Sequence, residues 1–300
     1  MTRRALALFA LMCLLWGIPY LLIRIAVAEV SPVFLVFARS LLAVVVLAPV
    51  VLRFRALTGL GALLPWLAAV TLLEVTLPFL LISYGEQHVT SSLTGLLISS
   101  EPLMVALLAT RLAAGERVEG RRLAGMLLGL AGVALLLGLD VGGDRLRLLG
   151  AGMVLVAALC YSVAALLIRL RLSAVSQLGV AGATLSLNSA LLAVPALVTA
   201  PAHLPSPAVL AAIVVLALAC TAGGFVGYFS LIQEAGASRA AVITYVNPAV
   251  AVVLGALVLG EPIGLSTIAG FILIVLGSWL ATTGGRLRRA VVPAVAEREA

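Results

Sequence analysis

The sequence predicts an all-α integral membrane protein in which ten transmembrane helices form two five-helix repeats of inverted topology. Three observations lead to this fold class. The 300 residues are 63% hydrophobic and only 10% charged, whereas an ordinary soluble domain carries about 25% charged residues. The chain contains ten apolar runs of membrane-spanning length, and motifs of its first half recur in its second half. The composition excludes a soluble enzyme and, despite the net charge of +7, a soluble nucleic-acid-binding protein.

The apolar runs define the elements in chain order. A hydrocarbon core about 30 Å thick requires about 20 helical residues. The runs are continuous, whereas the strands of a membrane barrel would alternate with period two. The first run follows Arg3 and Arg4 like a secretory signal, but it is longer than the roughly 7–15 apolar residues of such a signal, so we count it as a span. The predicted spans are 5–27, 32–52, 63–83, 91–110, 121–139, 148–168, 177–198, 208–231, 238–259 and 264–283.

The basic residues predict the orientation of these spans. All 19 are arginine, and arginine accumulates in the cytoplasmic loops of membrane proteins. Arg145 and Arg147 fall on one side of the membrane, while Arg24 and Arg39 lie within spans or at their ends. Both termini are therefore predicted to be cytoplasmic, in a bacterial-type inner membrane. The arginines on the cytoplasmic side are Arg3, Arg4, Arg53, Arg55, Arg111, Arg117, Arg121, Arg122, Arg169, Arg171, Arg239, Arg286, Arg288, Arg289 and Arg298.

The second half of the chain repeats landmarks of the first half. Pro102 in the fourth span aligns with Pro248 in the ninth, and Gly115-Glu116 aligns with Gly260-Glu261 when one residue is skipped. Each half therefore holds five spans. An odd number of spans makes the second half enter the membrane from the opposite side, which gives an inverted repeat. The predicted units are residues 1–140, residues 145–284 and a short cytoplasmic tail, 285–300.

The spans that follow these landmarks match as well. Gly125 aligns with Gly270, and Gly132 aligns with Gly277. Together with Gly129, the two glycines of the fifth span lie on one helix face. Glycine faces let membrane helices approach closely, so we interpret these glycines as packing residues.

A proline inside spans four and nine, a Gly-Glu pair that closes each following loop, and a glycine-rich next span form a recognisable pattern. It resembles the EamA-like family of the drug/metabolite transporter superfamily. The matching stretches are Tyr84 to Leu137, Tyr228 to Ala281, and Trp16-Gly17. The resemblance covers essentially the whole chain. It implies a ten-helix exporter or facilitator of small metabolites whose cavity is lined mainly by spans 1, 3, 4, 6, 8 and 9, and it names no substrate.

Inverted repeats are typical of secondary transporters, because two similar halves can exchange conformations around a central site. We therefore expect a secondary active transporter that exports small organic metabolites, such as amino acids, by alternating access. The alternatives are a facilitative channel and a non-transporting membrane scaffold. An intramembrane enzyme is disfavoured, because no GxSxG, HExxH or histidine–carboxylate pair lies within a predicted span.

Two carboxylic acids lie at membrane depth. Glu74 and Glu101 are each eleven residues into spans 3 and 4, where an ionisable group costs about 2.5–3.5 kcal/mol on insertion scales and usually faces a cavity or a partner. A carboxyl group removed from water can exist in its neutral form. We therefore expect these two residues to couple transport to protons or to bind a cationic group of the substrate. The alternative for Glu74 is a buried pair with an arginine.

Prolines mark the same depth. Glu101 and its repeat-mate Asn247 each precede a proline, Pro102 or Pro248. A proline frees a backbone carbonyl one turn earlier and bends the helix. We predict that Glu101 and Asn247 bind substrate, and that Pro102, Pro248 and Pro78 act as hinges. The alternative is a plain kink in which the polar neighbour satisfies the freed carbonyl.

One arginine and three aromatic residues complete the predicted site. Arg39 lies in the outer third of span 2, where it either receives a substrate carboxylate in a bidentate contact or extends to the membrane interface. Trp16 and Tyr20 share one face of span 1, and with Tyr245 they are expected to stack on an organic substrate. The alternative for these aromatic residues is an interfacial belt.

The cysteines and histidines indicate no metal or other cofactor. Cys13, Cys160 and Cys220 lie inside apolar spans without CxxC spacing, and His88 and His203 fall in loops. Cysteines of this kind behave as small hydrophobic residues. The expected partners are a small-molecule substrate, the lipid bilayer and protons as the coupling ion, and the sequence leaves the oligomeric state open.

Overall fold

A computed structural model describes residues 2–112, 120–140 and 144–283, and most of these residues are helical. Nine of the helices in the described part of the chain are long and apolar enough to cross a membrane, and one is shorter. In chain order they are α1 (Arg3–Ala26), α2 (Pro32–Arg53), α3 (Gly61–Gly85), α4 (Ser91–Ile98 and Glu101–Leu112), α5 (Arg121–Asp140), α6 (Arg145–Arg171), α7 (Gln177–Val198), α8 (Pro207–Ala235), α9 (Ile243–Leu259) and α10 (Leu265–Thr283). This confirms the predicted all-helical membrane fold.

The ninth span differs from its predicted bounds. A separate short helix, Ala237–Ala240, precedes α9, which begins only at Ile243. Gly236 has a φ of +86°, a left-handed conformation that glycine adopts without steric cost. The chain changes direction at this glycine, and one short turn follows before α9 starts.

The packing of α5 on α10 shows the inverted symmetry directly. A Cβ atom added to Gly125 would lie 2.7 Å from the carbonyl oxygen of Gly277, and one added to Gly132 would lie 2.9 Å from that of Gly270. Gly125 is the repeat-mate of Gly270, and Gly132 is the repeat-mate of Gly277. When each glycine is replaced by its repeat-mate, one contact becomes the other. This is the relation expected for a two-fold axis between the two helices. The predicted packing role of these glycines is confirmed.

The other helices follow the same symmetry. The repeat-mates α2 and α7 pack on each other, as do the repeat-mates α4 and α9. Helix α3 packs on α6, and their repeat-mates α8 and α1 pack on each other in the same way. The two halves thus interlock around a common centre, and large apolar side chains such as Leu257 and Leu265 are exposed on the outside.

Some predicted features lie outside the described residues. They are Gly115, Glu116, Arg117, Arg286, Arg288, Arg289, Arg298 and the tail 285–300. Within the described part, the loops that the arginine count predicts to be external meet at one end of the bundle. We call this end the predicted outer end; it carries residues 27–31, 86–90, 199–206 and 260–264.

Candidate functional site

Two π-helical segments lie at matching positions of the two repeats. One, Thr71–Thr76, interrupts α3, and the other, Leu216–Gly223, interrupts α8. Glu74 and its repeat-mate Cys220 lie on these segments. A π-segment widens one turn of a helix and re-aims its side chains, and such segments are frequent at functional sites. The fold thus modifies the backbone of both repeats at the depth where the sequence places its intramembrane carboxyl group.

Arg39 is held inside the bundle by the second π-segment. The side chain is only 8% exposed. Its Nε donates a hydrogen bond to Thr221 Oγ1 (2.8 Å), and its guanidinium carbon lies 4.0 Å from the centre of the Phe79 ring. Thr221 Oγ1 in turn donates to the carbonyl oxygen of Leu216 (2.7 Å). Arg39 therefore points toward α3 and α8 and does not extend to the membrane interface.

A chain of buried polar side chains fixes the helix that carries Arg39. Asn188 on α7 donates through its Nδ2 to Ser40 Oγ (2.9 Å) and accepts at Oδ1 from Thr76 Oγ1 (2.7 Å). Buried polar groups are stable only when they are hydrogen-bonded. Because Ser40 is the neighbour of Arg39, this chain fixes α2 relative to the first π-segment. Sequence reasoning missed Asn188, since a single polar residue in an apolar span gives no indication of its partners.

The two predicted carboxylic acids face a shared interior. Glu101 begins the second half of α4, directly after a turn at Ser99 and Ser100, and its carbonyl oxygen accepts from Ser162 on α6. Glu74 and Glu101 lie close enough for their charges to interact. Both keep some accessible surface although they lie deep in the bundle. Neighbouring side chains therefore do not enclose them completely.

Tyrosines connect the carboxylic acids to Arg39. Tyr20 and Tyr161 are within electrostatic reach of both Arg39 and Glu101. Tyr228 interacts with Glu101 and with Glu74. Groups of both charge signs and three phenol hydroxyls thus surround one interior region. The sequence suggests Tyr161 and Tyr228, together with Tyr84, as further lining residues.

The remaining predicted residues lie around this region. Trp16 stacks against Tyr228, with ring centres 4.7 Å apart. The hydroxyl of Tyr245 is 3.1 Å from Thr282 Oγ1 on α10. With its amide nitrogen facing α1, Asn247 donates to the carbonyl oxygens of Ile243 (3.0 Å) and Cys13 (3.2 Å). Asn247 and Tyr245 are thus engaged in contacts with neighbouring helices.

The prolines occupy different local settings. Pro78 lies in the first turn after the π-segment of α3, and Pro102 lies in the first turn of the second half of α4. Pro102 begins a helical segment, where no backbone N–H is needed, whereas Pro78 lies inside a span that continues on both sides of it. Pro248 instead lies inside the continuous helix α9. Only α4 is broken beside its proline in this conformation.

The Gly-Glu pair that marks the second repeat connects the end of α9 to the start of α4 at the predicted outer end. Gly260 ends α9 in a left-handed turn with φ +66°. Glu261 then lies over the first turn of α4, where its carboxylate accepts from the backbone N–H groups of Ser91 (2.8 Å) and Ser92 (2.9 Å) and from both hydroxyls. A carboxylate at a helix N-terminus is favoured by the unpaired N–H groups and the helix dipole. Glu261 therefore joins the two repeats.

The described residues include no group of three or more His, Cys, Asp or Glu that could hold a metal ion. The three cysteines are free and buried.

A family model described as the EamA-like transporter family matches this chain twice, over residues 3–138 and again over residues 148–283. The chain belongs to this family. The resemblance found in the sequence is confirmed, and the chain is a membrane transporter rather than an enzyme.

Relatives of this EamA-like transporter agree with the assignment. The "Uncharacterized transporter YvbV" of Bacillus subtilis (strain 168) is 25% identical over 301 residues, covering 100% of this chain and 98% of the relative. The "Probable amino-acid metabolite efflux pump" of Escherichia coli (strain K12) is 23% identical, covering 97% of this chain and 99% of the relative. A solved crystal structure, 23% identical, covers 93% of this chain and 96% of its own with a TM-score of 0.65, which shows the fold alone.

The candidate site of this EamA-like transporter is the interior region bounded by Arg39, Glu74, Glu101 and aromatic rings. Its spanning helices and its bacterial relatives make it an integral protein of the inner membrane.

Proposed function

We propose that this transporter exports amino acids and related zwitterionic metabolites by alternating access. The observation that carries the proposal is the presence of both charge signs in one interior region. In the described part of the chain no carboxylate pairs with Arg39, and the salt bridge found there joins Arg147 to Asp144. A zwitterion supplies a carboxylate for Arg39 and an ammonium group for the carboxylic acids. The name of the Escherichia coli relative supports the same substrate class and direction.

Each site residue has a defined role in this proposal. Arg39 binds the substrate carboxylate with the two terminal nitrogens of its guanidinium group, because its Nε is already bonded to Thr221. Glu101 binds the substrate ammonium group. Glu74, whose charge interacts with that of Glu101, takes up and releases the coupling proton. The rings of Trp16 and Tyr20 contact the apolar part of the substrate.

The motion is proposed to occur at the helices that carry prolines. Pro78, Pro102 and Pro248 serve as hinges, and Asn247 and Tyr245 follow the movement of α9. Because the contacts of Glu261 close the predicted outer end, this conformation would admit substrate from the cytoplasm. Both termini are proposed to lie in the cytoplasm, and residues 1–140 and 145–284 are proposed as the two moving halves.

Counterflow in proteoliposomes tests the proposal. Vesicles loaded with unlabelled amino acids should accumulate the same radiolabelled amino acid, with saturation and with stimulation by the internal solute. Flux that rises in proportion to concentration, without such stimulation, would instead support the channel alternative. Glu74→Gln should abolish the pH dependence of exchange. An unchanged rate and pH profile in this variant would remove Glu74 from the mechanism.

A further inference from the structure

Another buried carboxyl group lies at the predicted outer end and has no role in the site described above. Glu86 directly follows α3, its side chain is completely buried, and neither carboxyl oxygen has a hydrogen-bond partner among the described residues. An ionised carboxylate is unfavourable in such a place, because it loses its hydration and gains no hydrogen bond. The geometry therefore suits a neutral, protonated Glu86.

The groups around Glu86 come from four elements. From α1, Arg24 donates a hydrogen bond to the backbone carbonyl of Glu86, and Tyr20 is within electrostatic reach. Glu261 approaches from the α9–α10 loop, and the polar neighbour on α4 is Thr94. On the side of α6, Gly150 packs against Gly85 and His88, the residues that flank this loop position.

Thr94 is the polar side chain beside this carboxyl group. Its hydroxyl donates to the carbonyl oxygen of Thr90 (3.0 Å), and its contact with Glu86 favours the ionised acid. The loss of hydration at the fully buried position outweighs this contact, so the closed outer end favours the neutral acid.

We propose that Glu86 is a proton-binding site whose occupancy controls closure of the predicted outer end. The inference rests on the alternating-access cycle proposed above and adds a second proton site, separate from Glu74. When Glu261 leaves Ser91 and Ser92, the loops part, water reaches Glu86, and its proton leaves to the outside. A surface cavity of about 490 Å³, lined in part by Arg24, Thr90 and Glu261, lies at the same end of the bundle.

The direction of the pH effect follows from the difference between the two states. Burial raises the pKa of the Glu86 carboxyl well above its usual range; the charge of Arg24 opposes this shift and that of Glu261 adds to it. In the open state the hydrated carboxyl has its ordinary pKa. Closure therefore binds a proton: it is favoured at low pH, and this contribution is lost as the pH rises through the pKa of the closed state.

Distance measurements without any substrate test this inference. Nitroxide labels at Gln87→Cys and Ile263→Cys report the separation of the two loops that Glu261 joins; the native cysteines are replaced by alanine and the protein is placed in lipid nanodiscs. In the parent protein the short-distance fraction should fall as the pH rises. Glu86→Gln, a neutral isostere, should keep the short distance at every pH. Arg24→Gln should move the midpoint upward by about one pH unit, because it removes a neighbouring cation.

Glu29→Gln is the matched control, because it removes an exposed negative charge from the same end, while its amide oxygen can still accept the hydrogen bond from the Ser206 N–H. This variant should retain the pH profile of the parent. A pH-dependent distance that persists in Glu86→Gln, or a parent distance that does not respond to pH, would overturn the inference. If Glu86→Gln does not fold, an unmoved midpoint in Arg24→Gln overturns it equally. Counterflow is independent of these distances, so failure of either proposal can be told from failure of the other.

Discussion

At the scale of single residues, the proposed function assigns the choice of solute to Arg39. Its side chain is fixed on two sides, by Thr221 and by the Phe79 ring, and so its terminal nitrogens keep one orientation. A planar guanidinium group binds a carboxylate through two parallel hydrogen bonds. A fixed donor pair of this kind favours amino acids over solutes that carry only a positive charge.

The first prediction concerns this arginine. Arg39→Gln should raise the half-saturating concentration of amino-acid exchange by about ten-fold or more, because a hydrogen bond to a charged group contributes about 1.5–3 kcal/mol. The measurement is concentration-dependent counterflow. Arg169→Gln removes the same charge from an exposed position at the end of α6. This variant should leave the half-saturating concentration unchanged. An equal effect of both variants would assign the loss to overall charge.

The role of a polar residue could be predicted from the sequence only where the sequence also predicted whether that residue is buried or solvated. Glu74 and Glu101 stand out because few charges occur in the spans. Glu86 does not stand out, since its position directly after a span suggests a solvated loop, whereas the structure buries it completely. Thr221 and Asn188 have no sequence signature, because their roles depend on partners from distant helices.

At the scale of elements, hydropathy predicted the helices but not their internal deviations. The π-segments of α3 and α8 insert one residue into a turn and leave the apolar run unbroken. A pattern that counts apolar residues cannot detect them. The nearest signals are Pro78, which follows Glu74 after one turn, and the adjacent Gly223 and Gly224. Proline and glycine are compatible with an irregular turn, but they also occur in regular helices and loops, so they do not predict a π-segment.

The element-scale prediction tests the glycine contact between α5 and α10. In Gly277→Ala the new Cβ would meet the backbone of Gly129 and lie 2.6 Å from the carbonyl oxygen of Gly125. Backbone atoms cannot move aside cheaply, so the variant should lose about 1–3 kcal/mol of stability. Its thermal unfolding in detergent should shift to lower temperature.

The control for this prediction is Gly152→Ala on α6, where a new Cβ meets nothing within 4 Å. Alanine is the better helix former, so this variant should unfold at the same temperature as the parent or slightly higher. A Gly277→Ala protein as stable as the control would mean that α5 and α10 are not in close contact.

At the scale of the whole molecule, the two repeats share a sequence pattern but differ in conformation. The turn in α4 lies at Ser99 and Ser100, just before Pro102, whereas the turn before α9 lies about one helical turn further from Pro248. One pattern therefore supports two conformations. An exchange of conformations between the halves would open the opposite end, which is the basis of alternating access in inverted repeats.

The direction of transport depends on which end faces the cytoplasm, and the last prediction tests this. Two exposed residues flank α7: Ser173 in the loop after α6, on the side rich in arginine, and Leu204 in the loop before α8. The native cysteines are buried, so a single introduced cysteine should dominate labelling. In intact spheroplasts a membrane-impermeant maleimide should label Leu204→Cys at once, and Ser173→Cys only after permeabilisation, because arginine-rich loops stay in the cytoplasm. The reverse pattern would place Glu86 on the cytoplasmic side, where it would respond to internal pH, and this closed conformation would then admit solute from outside.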